Sequence, residues 1–134
     1  MNLRVIASVL ILAALGSGQE RFESGYLKGF TKSPIEHIIN ERPEPFTVRR
    51  VKGFVHDEGG AVMDGVLVEI RDEAGRIRAA TTGPKGTFKI GGVPNGRYRF
   101  KVTRNAFQSV VGEIVVSSKT HTPQHVQIIM KPGV

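Results

Sequence analysis

Four histidines, two tyrosines and no cysteine set narrow limits on the chemistry this chain can do. Without a thiol, a disulfide framework, a thiolate metal site and a cysteine nucleophile are excluded together. His121 and His125 stand four residues apart, the spacing that presents two metal ligands on one face of a helix. Pro123 lies between them, and the residues after Gln124 alternate as a strand does, so no helix is expected there. In an extended strand the two rings would share a side but sit about 13 Å apart, too far to chelate one ion. His37 and His56 suggest no third ligand, so no metal site is expected. A serine nucleophile would need a base and a strained turn, and no G-x-S-x-G is present. The sequence therefore leads us to expect no catalytic residue and no cofactor.

The remaining concentration of chemically active side chains is basic. Arg97, Arg99 and Lys101 alternate with Tyr98, Phe100 and Val102, so in a strand the cations share one face and the apolar groups the other. Lys89 is outward on the preceding strand, with Lys85 in the turn before that strand. Lys89, Arg97, Arg99 and Lys101 form the candidate surface for an anionic ligand. The competing reading is an ordinary charged solvent face that discourages edge pairing. The formal net charge of +7 favours anionic partners through screened long-range attraction. With no tryptophan, and Tyr26 and Tyr98 the two tyrosines, little is offered for stacking on a sugar ring.

Which anions are relevant depends on where the chain goes. Arg4 and the terminal amine, an apolar run from Val5 to Leu15, and the small residues Gly16, Ser17 and Gly18 fit a secretory leader over residues 1–18. The run is well short of the ~20 residues that a permanent transmembrane helix requires. No later segment is apolar enough to span a membrane as a helix. Export to the periplasm or beyond is expected, with an envelope protein or an anionic polysaccharide as partner rather than nucleic acid.

Residues 19–45 read as a linker with one short ordered piece. Ser33-Pro34-Ile35-Glu36 has the form of a helix start, with a capping hydroxyl, a proline suited to the first turn and a glutamate that can reach back. Ile35, Ile38 and Ile39 would share one face of a helix ending before Pro43. From Phe46 onward the pattern becomes period-two alternation broken by glycine and proline. Seven strands follow from it, beginning near Val51, Val66, Arg76, Thr87, Arg97, Gly112 and Gln124. Each has one apolar side, and Phe88, Tyr98 and Phe100 are expected between the sheets. Strands of this kind bury their faces by stacking two sheets. Residues 46–134 are thus expected to form an all-β, seven-stranded, immunoglobulin-like antiparallel β-sandwich.

Several segments carry a family resemblance. Val51-Lys52-Gly53-Phe54-Val55-His56-Asp57-Glu58-Gly59-Gly60, followed by Gly65-Val66-Leu67-Val68, is similar to the opening of carboxypeptidase regulatory-like domains. Thr81-Thr82-Gly83-Pro84-Lys85-Gly86-Thr87-Phe88 and Val93-Pro94-Asn95-Gly96-Arg97-Tyr98 resemble two further segments of that family, in the same order. Asn105-Ala106-Phe107 stands where these domains usually carry a glycine-aromatic pair; Ala106 in place of glycine, Val62 in place of proline and Gly83 in place of an acidic or amide residue are departures confined to turns. The resemblance implies a transthyretin-like sandwich used as an accessory, structural or binding module without shared catalytic residues. Related adhesin sandwiches join first and last strands by a lysine-asparagine isopeptide bond. Lys52 points outward and the last strand has no asparagine or aspartate, so that bond is not expected. The expected function is a non-catalytic exported interaction or structural module of the cell envelope, the alternative being a carbohydrate-binding accessory domain that recognises an envelope or extracellular polysaccharide.

Overall fold

The period-two stretches become strands. The computed structural model describes residues 25–33, 38–121 and 124–133; the leader and residues 34–37 lie outside them. Nine strands are present: β1 (Ile39–Glu41), β2 (Phe46–Val48), β3 (Val51–Asp57), β4 (Leu67–Arg71), β5 (Ile77–Thr81), β6 (Thr87–Ile90), β7 (Gly96–Thr103), β8 (Ser109–Val116) and β9 (Val126–Met130). The larger sheet runs β1-β8-β7-β4-β5 with β2 also paired to β8, and the smaller runs β6-β3-β9. The seven expected strands are β3 to β9, and the two sheets stack as a sandwich.

Two features differ from expectation: the chain ahead of β3 pairs with the edge of β8, and part of the strand pairing is parallel. Ile39, expected on a helix, opens β1 and pairs with Ser109, while Phe46 opens β2 and pairs with Ile114. A two-turn helix is marginal by itself, whereas the free edge of β8 offers backbone partners for every residue laid against it. Among the described residues there is no α-helix. From Glu41 to Phe46 the chain takes five steps while β8 takes three, from Val111 to Ile114. The slack holds Pro43 and Pro45, which have no N–H to give to a ladder. Both additions are parallel to β8, and β3 is parallel to β9, so the sandwich is mixed rather than wholly antiparallel.

The core follows the alternation. Phe88, Tyr98 and Phe100 are buried between the sheets with Val55, Val68, Ile114 and Ile128. Phe100 is 1% exposed and packs against Phe46, ring centroids 5.9 Å apart. Its ring occupies the space a side chain on Gly112 would need, since a Cβ there would fall 2.8 Å from Phe100 Cε2. The Tyr98 phenol donates to the Pro94 carbonyl at 2.6 Å, which satisfies its one polar atom. Thr82 is buried and ties two loops together: its hydroxyl donates to the Met63 carbonyl at 2.7 Å and accepts from the Val66 N–H at 2.9 Å. Gly86 adopts φ +74°, and a Cβ there would meet the Val55 carbonyl oxygen at 2.8 Å. Both the torsion and the space require glycine.

Candidate anion-binding surfaces

Strand β7 places Arg97, Arg99 and Lys101 on the outer face of the large sheet, as the alternation dictates. That face is not open. Residues 25–33, expected to be linker, lie across it as a strap. Tyr26 stacks under the Arg99 guanidinium, with the cationic carbon 3.8 Å from the ring centroid, and Phe30 is buried beside Arg71 at 5.1 Å. Arg71 donates to the Gly25 and Lys28 carbonyls. Glu69, on β4, accepts from the Thr31 N–H and hydroxyl, each at 3.0 Å, and Lys101 donates to the Thr31 carbonyl at 2.6 Å. Gly29 sits against the Ile77 side chain of β5. The strap thus touches β7, β4 and β5.

This corrects the assignment of Lys101. It is outward in register but 0% exposed, beneath the strap and opposite Glu69 across the ladder. Arg97 and Arg99 both approach Glu113, at 3.3 and 3.7 Å, so their charge is partly answered on the same face. Arg97, Arg99, Arg71 and Lys28 border an open cleft of about 650 Å³ whose rim also carries Asp72, Glu73 and Glu113. Burial lowers the Arg71 pKa, with the neighbouring Arg99 charge adding to the effect and Tyr26 opposing it. The Asp72 carboxyl is held below its ordinary range, first by the hydrogen bond from the Arg76 N–H and then by that from Ala74. This cleft is a mixed-charge surface.

Lys89 is elsewhere. It lies on β6, in the small sheet, whose outer face points away from the large sheet's outer face. Lys89 therefore joins none of its three expected companions. Its partner across the ladder is Lys52 on β3. Beside Lys52, where the chain crosses from β2 to β3, stand Arg49 and Arg50. Arg49, Arg50, Lys52, Gln124 and His125 line a groove of about 250 Å³. Arg49 is fixed by two donations to the Thr120 carbonyl, at 3.0 and 2.7 Å. Gln124 is fixed to Thr47, accepting from its N–H at 2.8 Å through the side chain and donating to its carbonyl at 3.0 Å through the backbone. Sequence reasoning missed this cluster, although three cations within the four residues Arg49-Arg50-Val51-Lys52 were a usable signal.

Further along the same face, Phe54 and His56 stack with centroids 6.1 Å apart, and Gln127 contacts the His56 ring at 3.0 Å. His56 lies beside Ile129 and Val62, two exposed large apolar residues. His121 and His125 are both exposed, and His125 belongs to the cationic groove. Among the described residues no three histidine or carboxylate groups converge as metal ligands, and no helix is long and apolar enough to cross a membrane.

Comparison with known proteins places the architecture. No curated protein matches the chain. Among solved structures, chlorocatechol 1,2-dioxygenase from Pseudomonas putida aligns at 8% identity and a TM-score of 0.43, over 61% of this chain and 58% of that one. A single-site mutant of Acinetobacter radioresistens catechol 1,2 dioxygenase aligns at 9% identity and a TM-score of 0.40, over 70% of this chain and 58% of that one. This chain thus spans less than two thirds of the length of either. The sequence profile of the carboxypeptidase regulatory-like domain matches residues 50–129, from the start of β3 almost to the end of β9. The chain belongs to the carboxypeptidase regulatory-like domain family.

Proposed function

We propose that this protein is a non-catalytic, exported module of the cell envelope that acts by binding. The observation that carries the reading is the direction of its ionisable side chains. Those of the large sheet grip the chain's own residues 25–33, through Glu69, Arg71, Arg99 and Lys101. Those at the β2–β3 crossing and on the small sheet, Arg50, Lys52 and Lys89, stand in solvent as cations. Glu69 and Lys101 converge on Thr31 but are both buried there, and Arg50, Lys52 and Lys89 have no carboxylate among them, whereas proton transfer in catalysis needs its acid and base within reach of a substrate. The apolar leader directs the chain out of the cell, where binding modules of this architecture meet envelope polymers.

The test is to tag the chain in its native host, cross-link intact cells and fractionate them. The tagged chain should be recovered outside the cytoplasm with a mass that lacks Met1 to Gly18, joined to an envelope component. A cytoplasmic chain that retains Met1 to Gly18 would overturn the reading. A second reading, a carbohydrate-binding accessory domain, is favoured by the Phe54–His56 stack, which offers a flat surface beside Gln127. Its test is a glycan array, on which a module that binds only protein gives no signal.

A further inference from the structure

We infer that the groove formed by Arg49, Arg50, Lys52 and His125, together with Lys89, is the binding site for the carboxylate or sulfate groups of an acidic polysaccharide. The inference rests on the reading of the protein as an interaction module and assigns that module a ligand and a place. Three observations lead to it.

The first is a local conflict. Lys52 and Lys89 are directly opposed in an antiparallel ladder, a placement that costs stability because like charges face each other at short range. Among the described residues neither has a carboxylate partner, and both are exposed. Arg97 and Arg99, by contrast, share Glu113. A fold that keeps two like charges opposed without an internal counter-ion favours an external one.

The second is preorganisation. The Thr120 carbonyl orients the Arg49 guanidinium without neutralising it, and Thr47 holds Gln124 at both its side chain and its backbone. A fixed guanidinium presents paired N–H groups to the two oxygens of a carboxylate or sulfate, which is the stronger form of charge-assisted hydrogen bonding. The third is the distribution of apolar groups. Lys52 and His56 are four residues apart on β3, about 13 Å at strand rise. The cations therefore stand at one end of the face and Ile129 and Val62 at the other, with the Phe54–His56 stack between them. Separation of the two suits a chain that lies along the strands, with an acid group in the groove and a ring face on the stack.

The experiment uses the mature protein and four probes: polygalacturonate, dextran sulfate, neutral dextran, and vesicles of phosphatidylglycerol in phosphatidylcholine. The protein should bind the first two and neither of the others. Binding should weaken with salt as the Debye length shrinks from ~30 Å at 0.01 M to ~8 Å at 0.15 M. Replacing Arg50→Gln with Lys52→Gln should weaken polygalacturonate binding by about tenfold or more, since two charge-assisted contacts are lost. The charge-matched pair Arg97→Gln with Arg99→Gln should change it by less than about threefold, a difference within ordinary surface effects. The first variant should melt no lower than the parent, because it relieves the opposed charges, and polygalacturonate should raise its melting temperature less than that of the parent or of the Arg97 and Arg99 variant. Equal loss from both pairs would mean that net charge alone acts, and the site would fall. Vesicle binding without polysaccharide binding would make it a lipid surface, and binding of no probe would remove the ligand class. Each of these failures leaves the module reading standing if cross-linking still captures an envelope component.

Discussion

Glu69 and Lys101 face each other across β4 and β7 and close on a single residue from opposite charges. The carboxylate takes the N–H and hydroxyl of Thr31, and the ammonium takes its carbonyl. A charge buried in this way needs an opposite charge and hydrogen bonds to offset lost hydration. Here the two oppositely charged residues are neighbours across the ladder and Thr31 supplies hydrogen bonds to both, and the result is a chain segment fastened to the outside of a sheet.

Removing either partner should be costly. Glu69→Ala removes the acceptor of the Thr31 N–H and hydroxyl, and Lys101→Ala removes the donor to the Thr31 carbonyl; with a hydrogen bond to a charged group lost in each case, we expect a loss of ~1.5–3 kcal/mol in urea denaturation. The strap should also loosen, so that trypsin cleaves at Lys28 or Lys32 faster than in the parent. Unchanged stability and unchanged cleavage would show that the strap is not held by this pair.

Ala106 adopts φ +72°, alone among the described non-glycine residues in the left-handed region. An alanine there carries a steric penalty that glycine avoids. Ala106→Gly should therefore raise stability by about 1 kcal/mol, net of the greater freedom glycine gives the unfolded chain. A lower melting temperature for this variant would contradict the assignment of the turn.

Phe100 fills the space above Gly112 and packs on Phe46. Phe100→Ala should cost ~3–5 kcal/mol through lost burial and the cavity left behind. Gly112→Ala approaches the same contact from the other side and should cost ~1–3 kcal/mol by overpacking. Melting at the parent temperature in either case would be incompatible with a ring lying on that glycine.

Asp72 gives the pH dependence. Its folded pKa lies below the ordinary value, chiefly through the Arg76 N–H. A depressed carboxyl pKa stabilises the fold above the unfolded value, and that contribution disappears as pH falls through the folded value. The β4–β5 turn should thus loosen below about pH 4, the unfolded aspartate range. Asp72→Asn should flatten the acid limb of the stability curve, as followed by circular dichroism. An identical acid limb in the variant would remove Asp72 from the explanation.

The seven strands, their inward aromatics and the glycine turns were legible because alternation and turn chemistry are local properties of the chain. Tyr98 even found its partner, the Pro94 carbonyl, within the motif that contains it. What alternation does not contain is the identity of whatever covers a face. It put Lys101 outward correctly and gave no sign that residues 25–33 would lie on top of it. Nor does succession along the chain reveal which sheet a strand joins: β6 and β7 are consecutive, yet they lie in different sheets, which carried Lys89 away from Arg97 and Arg99. β1 and β2 were invisible for a third reason. Each is three residues long, too short for a period to register, and each exists because the edge of β8 was available.

The parallel pairings have a mechanical consequence. Tension applied through the two ends of the sandwich pulls β3 and β9 past each other along their length, because the strands run the same way and the load enters at opposite tips. The hydrogen bonds of such a ladder share the force at once instead of parting one after another, as they would if a hairpin were peeled open. The pairings of β1 and β2 with β8 repeat this geometry upstream. The molecule is consequently arranged as a clasp that resists stretching between its ends.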